Sequence, residues 1–210
     1  MNMLHASSGD DNLSVVCFGA SAGGFDAYCT ILSLLPHDTG LSFIIVHHQA
    51  EDVKSLLPEL LPRFTTMPVS SAEAGLVMKA DNVYVVPAGK DVTMSDGALW
   101  LEPRAPRNGW PRNITHFLLS LAEDRQKRAI AVILSGFDGD GAGALKEIKE
   151  RGGIVIAQKF ETAEQPSMPI NAVETGCVDF ILSPEEIAAR LCDIGAERAR
   201  QEKAGASASR

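Results

Sequence analysis

Three polar groups stand where an apolar run gives way to a turn. Ser21 lies in Gly19-Ala20-Ser21-Ala22-Gly23. Between a strand and a helix, such a G-x-S-x-G turn is sharp and lifts the hydroxyl off the backbone. The following helix aims its free N–H groups at the turn, where they can stabilise a developing oxyanion. His47-His48 closes a second apolar run. Successive strand residues point to opposite faces, so at most one of these rings faces the Ser21 turn. Asp138-Gly139-Asp140-Gly141 follows the most hydrophobic run, 129–134. A serine, a histidine and an aspartate are the parts of an acyl-transfer nucleophile. Taken one at a time, the same residues are a capping serine, strand-end histidines and solvated turn aspartates. The chain order Ser, His, Asp also differs from the Ser, Asp/Glu, His order of α/β-hydrolases.

Other chemistries fit less well. A dinucleotide loop needs glycine where Ser21 stands and an acidic residue after the second strand, where His47-His48 is found. A calcium loop counted from Asp138 places Lys149 at the position of the bidentate glutamate. His5, His37 and His116 lie in unrelated contexts, so no metal site is expected. Cys17, Cys29, Cys177 and Cys192 form no C-x-x-C pair, and a reducing compartment is expected.

These groups need a scaffold, and the pattern supplies one. Strand-type runs are read at 13–19, 41–47, 83–87, 129–134, 154–158 and 178–182. Helical periodicity is read at 24–35, 53–61, 113–125, 141–151 and 169–175, with Pro58 as a kink in the second. A hairpin over 91–101 turns at Ser95-Asp96-Gly97. Ser183-Pro184-Glu185-Glu186 supplies an N-cap, a first-turn proline and a capping-box glutamate for a last helix ending at about Cys192. This alternation predicts an α/β fold: a mainly parallel doubly wound sheet with a β-hairpin and helices on both faces. Sites in such sheets form at the carboxyl ends of the strands, where Ser21, His48 and the aspartates all fall.

The 210 residues are expected to divide into a flexible lead-in, 1–12, one domain, 13–193, and a frayed helix end and disordered tail, 194–210. Hydrophobic residues make up 45% and charged residues 22%, an ordinary globular balance. A formal net charge of −8 argues against a nucleic-acid backbone or an anionic membrane surface as partner. No apolar run reaches the roughly 20 residues of a membrane span, and no secretory signal pattern opens the chain. A cytoplasmic protein without membrane insertion is expected.

The ordered set Gly19-Ala-Ser-Ala-Gly-Gly24, Ile44-Ile-Val-His-His48, Asn82-Val-Tyr-Val-Val-Pro-Ala-Gly89, Ala131-Val-Ile-Leu-Ser-Gly136, Asp140-Gly141 and Ser167-Met-Pro169 resembles the catalytic domain of the chemotaxis protein-glutamate methylesterase family, CheB. Glu161-Thr-Ala-Glu164 and Gly176-Cys-Val-Asp-Phe180 are similar to the versions of this domain in CheB–CheR fusions. The resemblance spans 13–191. It implies hydrolysis of glutamate methyl esters, and deamidation of glutamines, on the cytoplasmic helices of chemoreceptors, without a cofactor or metal. It implies Ser21 as nucleophile, His48 as general base and Asp140 as the acid that orients it. The backbone N–H groups of His48 and Phe137 would form the oxyanion hole. From its charge rather than from the resemblance, the patch Arg107, Trp110 and Arg112 is expected either to dock an acidic receptor bundle or to be a solvated loop. A non-catalytic CheB-like interaction module and a serine esterase for another acylated substrate are the alternatives.

The chain departs from the family pattern at three places. No receiver domain precedes the catalytic part, so phosphorylation control is expected from a separate receiver protein or from further sequence. Asp138 stands where G-x-G-x-D-G has glycine. The segment 107–112 matches only loosely, and Arg104, Arg107 and Arg112 cluster there beside Trp110 in an otherwise acidic chain.

Overall fold

A computed structural model describes residues 10–48, 55–104 and 112–208. The first apolar run becomes β1 (Ser14–Ala20), buried along its whole length. Its neighbours are β2 (Leu41–His47) on one side and β8 (Ala129–Ile133) on the other, both parallel to it. Adding β3 (Val69–Ser71), β5 (Val83–Val85), β9 (Ile154–Gln158) and β10 (Phe180–Leu182) gives a seven-stranded sheet. Its order is β10-β9-β8-β1-β2-β5-β3, with every described pair parallel. Central strands buried on both faces need apolar residues at successive positions rather than alternate ones, and the runs in β1, β2 and β8 supply them.

Two hydrophobic layers cover the sheet. On one face Val16, Phe18, Phe43 and Ile45 pack with α1 (Gly24–Leu34), α2 (Leu57–Leu60) and α6 (Pro184–Ala208). On the other, Val15, Cys17, Ile44 and Val46 meet α3 (Asn113–Arg125), α4 (Leu145–Glu150) and α5 (Ser167–Glu174). A second, antiparallel sheet caps this latter face, built from β4 (Leu76–Val77), β6 (Lys90–Ser95) and β7 (Ala98–Pro103). Its hairpin turns on Asp96 and Gly97 at φ 52° and 75°, the left-handed pair that a two-residue type I′ turn requires.

The elements differ from the sequence pattern in three places. β3 and β4 were not expected; they are three and two residues long, too short to show a period. Within the described part of 53–61 the helix is only Leu57–Leu60, because Pro58 sits in its first turn, where proline starts a helix rather than kinking one. The last helix does not end near Cys192 but runs on to Ala208, over the span expected as a frayed end and disordered tail. That stretch is dense in Ala, Glu, Arg and Lys, all strong helix formers. Ion pairs Arg190–Glu197 at 3.1 Å and Arg128–Glu202 at 3.2 Å support it, the second tying it to the body of the domain. The capping box at its start is formed in both directions: Glu186 accepts from the Ser183 N–H at 2.8 Å, and Ser183 Oγ accepts from the Glu186 N–H at 3.3 Å.

Gly195 lets α6 lie against the entry to β2. A Cβ there would overlap the Thr39 carbonyl oxygen, which is backbone and cannot swing aside. In a free helix, Gly→Ala stabilises by about 1 kcal/mol. Here overpacking, typically about 1–3 kcal/mol, opposes that gain. Gly195→Ala is therefore expected to lower the urea midpoint of unfolding; a midpoint raised by the substitution would show that α6 does not sit this close.

Candidate active site

The turn after β1 is stitched to its neighbours through the backbone. The Ser21 N–H donates to the Ser135 carbonyl at 2.9 Å, and the His48 N–H donates to the Ala20 carbonyl at 3.1 Å. The parallel register sets Ala20 opposite His47, so Ser21 and His48 leave adjacent strands at the same level. Gly136, just beyond β8, closes on the same turn. A Cβ on Gly136 would overlap Met168 Sδ and stand 3.1 Å from Ser21 Cβ. The Met168 N–H donates to the Gly136 carbonyl at 3.0 Å, locking α5 to this loop. The glycine after Ser135 and the methionine of Ser167-Met168-Pro169 are thus two sides of one contact. Among the described residues, the Ser21 hydroxyl makes no hydrogen bond.

His48 meets Asp140 through its far nitrogen, Nε2 to Oδ2 at 2.8 Å. The Asp140 side chain is only 2% exposed. Its Oδ2 also accepts from the Ile114 N–H at 2.9 Å. Its Oδ1 accepts from the Thr115 N–H at 2.9 Å, the Thr115 hydroxyl at 2.6 Å and the Gly141 N–H at 2.8 Å. The carboxylate thereby caps the first turn of α3, where unpaired N–H groups and the helix dipole favour negative charge. Burial works to raise the Asp140 pKa, but the hydrogen bonds from His48, Thr115 and Ile114 outweigh it and hold the acid below its ordinary value. Thr115 was not singled out from sequence; a threonine in a helix's first turn carries no signal of which carboxylate it will meet.

Asp138 is also on the ring. Its Oδ2 lies 3.2 Å from His48 Nδ1, and its Oδ1 accepts from the Asp140 N–H at 2.9 Å. The solvated, screened turn aspartate is therefore not what forms: its side chain is 13% exposed and that of His48 is 9%. The Asx bond to Asp140 folds the carboxylate back over the imidazole. Burial alone would lower the His48 pKa, but the hydrogen bonds and charges of Asp138 and Asp140 raise it to about 9.

The neighbouring ring takes the opposite course. His47 Nδ1 is 3.1 Å from the Tyr28 hydroxyl on α1, across the sheet from α3. Burial, with His48 beside it, lowers its pKa to about 4. The alternation expected of the pair is present.

One expected donor is already engaged. The His48 N–H serves Ala20, because the parallel ladder continues one residue past β2, so it does not face an oxyanion. The N–H groups of Phe137, Ala22 and Gly23 have no acceptor among the described residues. The last two stand ahead of α1, where its dipole adds to them. Arg107 and Trp110 lie outside the described residues, and Arg112 is exposed immediately before α3.

A parallel α/β sheet with a serine turn, a histidine and a buried aspartate at its carboxyl edge defines the class. A family model described as CheB methylesterase matches residues 16–191. A putative protein-glutamate methylesterase/protein-glutamine glutaminase of Leptospira interrogans is 33% identical over 178 residues, 84% of this chain and 92% of that protein. The protein-glutamate methylesterase/protein-glutamine glutaminase of Geobacillus kaustophilus is 33% identical over 186 residues, 86% of this chain but only 53% of its own length. The crystal structure of the Thermotoga maritima CheB methylesterase catalytic domain superposes with a TM-score of 0.79 at 27% identity, covering 86% of this chain and 98% of that one. The chain belongs to the CheB methylesterase family.

The raised pKa of His48 has a consequence for stability. Its folded value, about 9, lies above the ordinary 6.5. The folded state therefore binds the proton more tightly than the unfolded chain does. The resulting stabilisation is complete below about pH 6.5 and is lost as pH rises through about 9. The urea midpoint is expected to fall across that window, and the fall should flatten in His48→Ala. A wild-type midpoint constant from pH 6.5 to 9 would contradict the pairing.

Proposed function

We propose that the chain hydrolyses glutamate methyl esters, and deamidates glutamines, by acyl transfer through Ser21. The observation that carries this reading is the buried hydrogen bond between Asp140 and His48, one strand away from the Ser21 turn. Membership of the CheB methylesterase family supports the reaction class, and the names of the relatives support both activities. The substrate is the cytoplasmic helical region of a chemoreceptor, which puts the enzyme in the cytoplasm. No helix among the described residues is long and apolar enough to cross a membrane.

In this scheme neutral His48 takes the proton of the Ser21 hydroxyl as Oγ attacks the ester carbonyl carbon. Asp140 fixes the ring and stabilises the imidazolium so formed. The oxyanion is received by the Phe137 N–H and by the N–H groups ahead of α1. Methanol leaves with the proton from His48, or ammonia in the case of glutamine. Water, deprotonated by His48, then attacks the acyl-serine. Glutamate is released, and the proton returns to Ser21.

A non-catalytic interaction module of the same fold is the second reading. It is favoured by the Ser21 hydroxyl having no hydrogen bond among the described residues while both nitrogens of His48 are taken.

Methanol release from methylated chemoreceptor membranes, measured at neutral and alkaline pH, separates the two. Ser21→Ala is expected to cut turnover by on the order of 10⁶, and Asp140→Asn by about 10⁴, with the fold intact. Wild-type release no faster than the enzyme-free rate would favour the module instead. His48→Ala should be crippling and His47→Ala mild for turnover, since His47 packs against Tyr28 on the other face. Equal losses at the two histidines would put the base elsewhere.

A further inference from the structure

Each ring nitrogen of His48 faces a carboxylate oxygen: Nε2 meets Asp140 Oδ2 at 2.8 Å, and Nδ1 meets Asp138 Oδ2 at 3.2 Å. An ionised carboxylate only accepts hydrogen bonds. Both nitrogens must therefore donate, and the ring carries two protons. An imidazolium has no lone pair with which to take the proton of Ser21. In a Ser-His-Asp site one nitrogen serves the acid and the other serves the hydroxyl. Here the second nitrogen is taken by a second acid.

The two acids are held very differently. Asp140 receives four hydrogen bonds besides that of His48, two of them from amides in the first turn of α3. Among the described residues Asp138 receives one, at Oδ1 from the Asp140 N–H, and its Oδ2 is engaged there by His48 alone. Asp138 is thus the acid that can move. We propose that Asp138 is a latch on the base: it occupies the nitrogen of His48 that Ser21 requires, holds the resting site closed as an ion pair, and must release that nitrogen before acyl transfer begins. The proposal rests on the acyl-transfer reading and adds its control. Asp138 is a positioning residue in it, acting through His48.

Release follows from the chemistry of the pair. When Nδ1 loses its proton it becomes an acceptor, and the carboxylate opposite it has no donor left. The lone pairs repel, Asp138 turns away, and Nδ1 is free for the hydroxyl. Among the described residues, Asp138 and Asp140 are the charged groups that act on the ring. β2 adds His47, whose pKa is lowered to about 4, and β1 adds Cys17, which burial and Asp140 keep as a thiol. α3 contributes uncharged Thr115, and α5 contributes Asn171, whose side-chain amide donates to the Asp138 carbonyl at 3.3 Å. The proton affinity of His48, raised to about 9, agrees with the geometry.

The test uses Asp138→Asn and Asp138→Gly. Asn retains the shape and the acceptor for the Asp140 N–H but removes the charge; Gly removes the side chain. Two quantities are read in the whole chain: the pH–rate profile with a glutamate methyl ester, and the His48 imidazole titration by NMR in a Ser21→Ala background. The wild-type rate should rise with pH through about 9. Both variants should move this limb down by roughly one pH unit or more, raising the rate at pH 7 about tenfold or more. The His48 titration should move with it. If no form hydrolyses ester at any pH but the titration still shifts, the acyl-transfer reading fails, and the latch falls with it, leaving only the hold of Asp138 on His48. If neither the limb nor the titration moves, the latch is overturned. It is equally overturned if the variants lose rate at every pH with the His48 midpoint unchanged.

Discussion

A largely buried imidazole wedged between two carboxylates is the interaction that organises this molecule. Two acids against one base leave an excess negative charge out of water, which is costly unless dipoles and donors offset it. The offset comes from α3, whose first-turn amides close on Asp140. That requirement fixes where α3 must begin, how the loop after β8 must run and how far β2 must extend. The ladder bond from the His48 N–H to Ala20 sets the last of these. The hydrophobic layers hold the sheet together; the charge balance at its edge decides how its loops meet.

Much of this was legible in the residues. The parallel sheet followed from continuous apolar runs separated by helical periods, and its carboxyl edge followed from the order of those runs. His48 was separable from His47 because strand alternation and the family pattern agree, and the two rings do lie on opposite faces with opposite proton affinities. Asp138 was harder. From sequence it is an aspartate at a glycine position and, taken alone, a solvated turn residue. The Asx bond to the Asp140 N–H folds it over the imidazole instead, and a bond two residues long leaves no periodic trace. The His48 amide was misassigned for a similar reason, since strand ends are the least legible part of a strand. Thr115 depends on a carboxylate that reaches it from 25 residues further along the chain, a partnership that no local pattern encodes.

Close packing supports the same arrangement. Gly136 has a methionine sulfur and the Ser21 Cβ where its own side chain would be, so the loops carrying serine and aspartate are pressed together by absence of bulk. Dense interiors transmit small displacements rather than absorb them. Phe137, next in the chain, is 58% exposed, so an apolar ring stands in solvent beside an N–H with no acceptor among the described residues. The chain passes from a glycine with no room for a side chain to an exposed ring within a single residue.

Asp140 joins two things usually kept apart, the end of a helix and the support of a candidate base. Helix ends fray, and they do so with local free energies well below that of global unfolding. Each time the first turn of α3 opens, the amides of Ile114 and Thr115 let go of the same oxygens that steady His48. The lifetime of an ordered imidazole is then bounded by the lifetime of one turn of helix. Amide exchange at those two positions would serve as a clock for the site, readable with no substrate present. Whatever settles on the start of α3, whether partner, antibody or small molecule, would set the pace of that clock from outside the cleft.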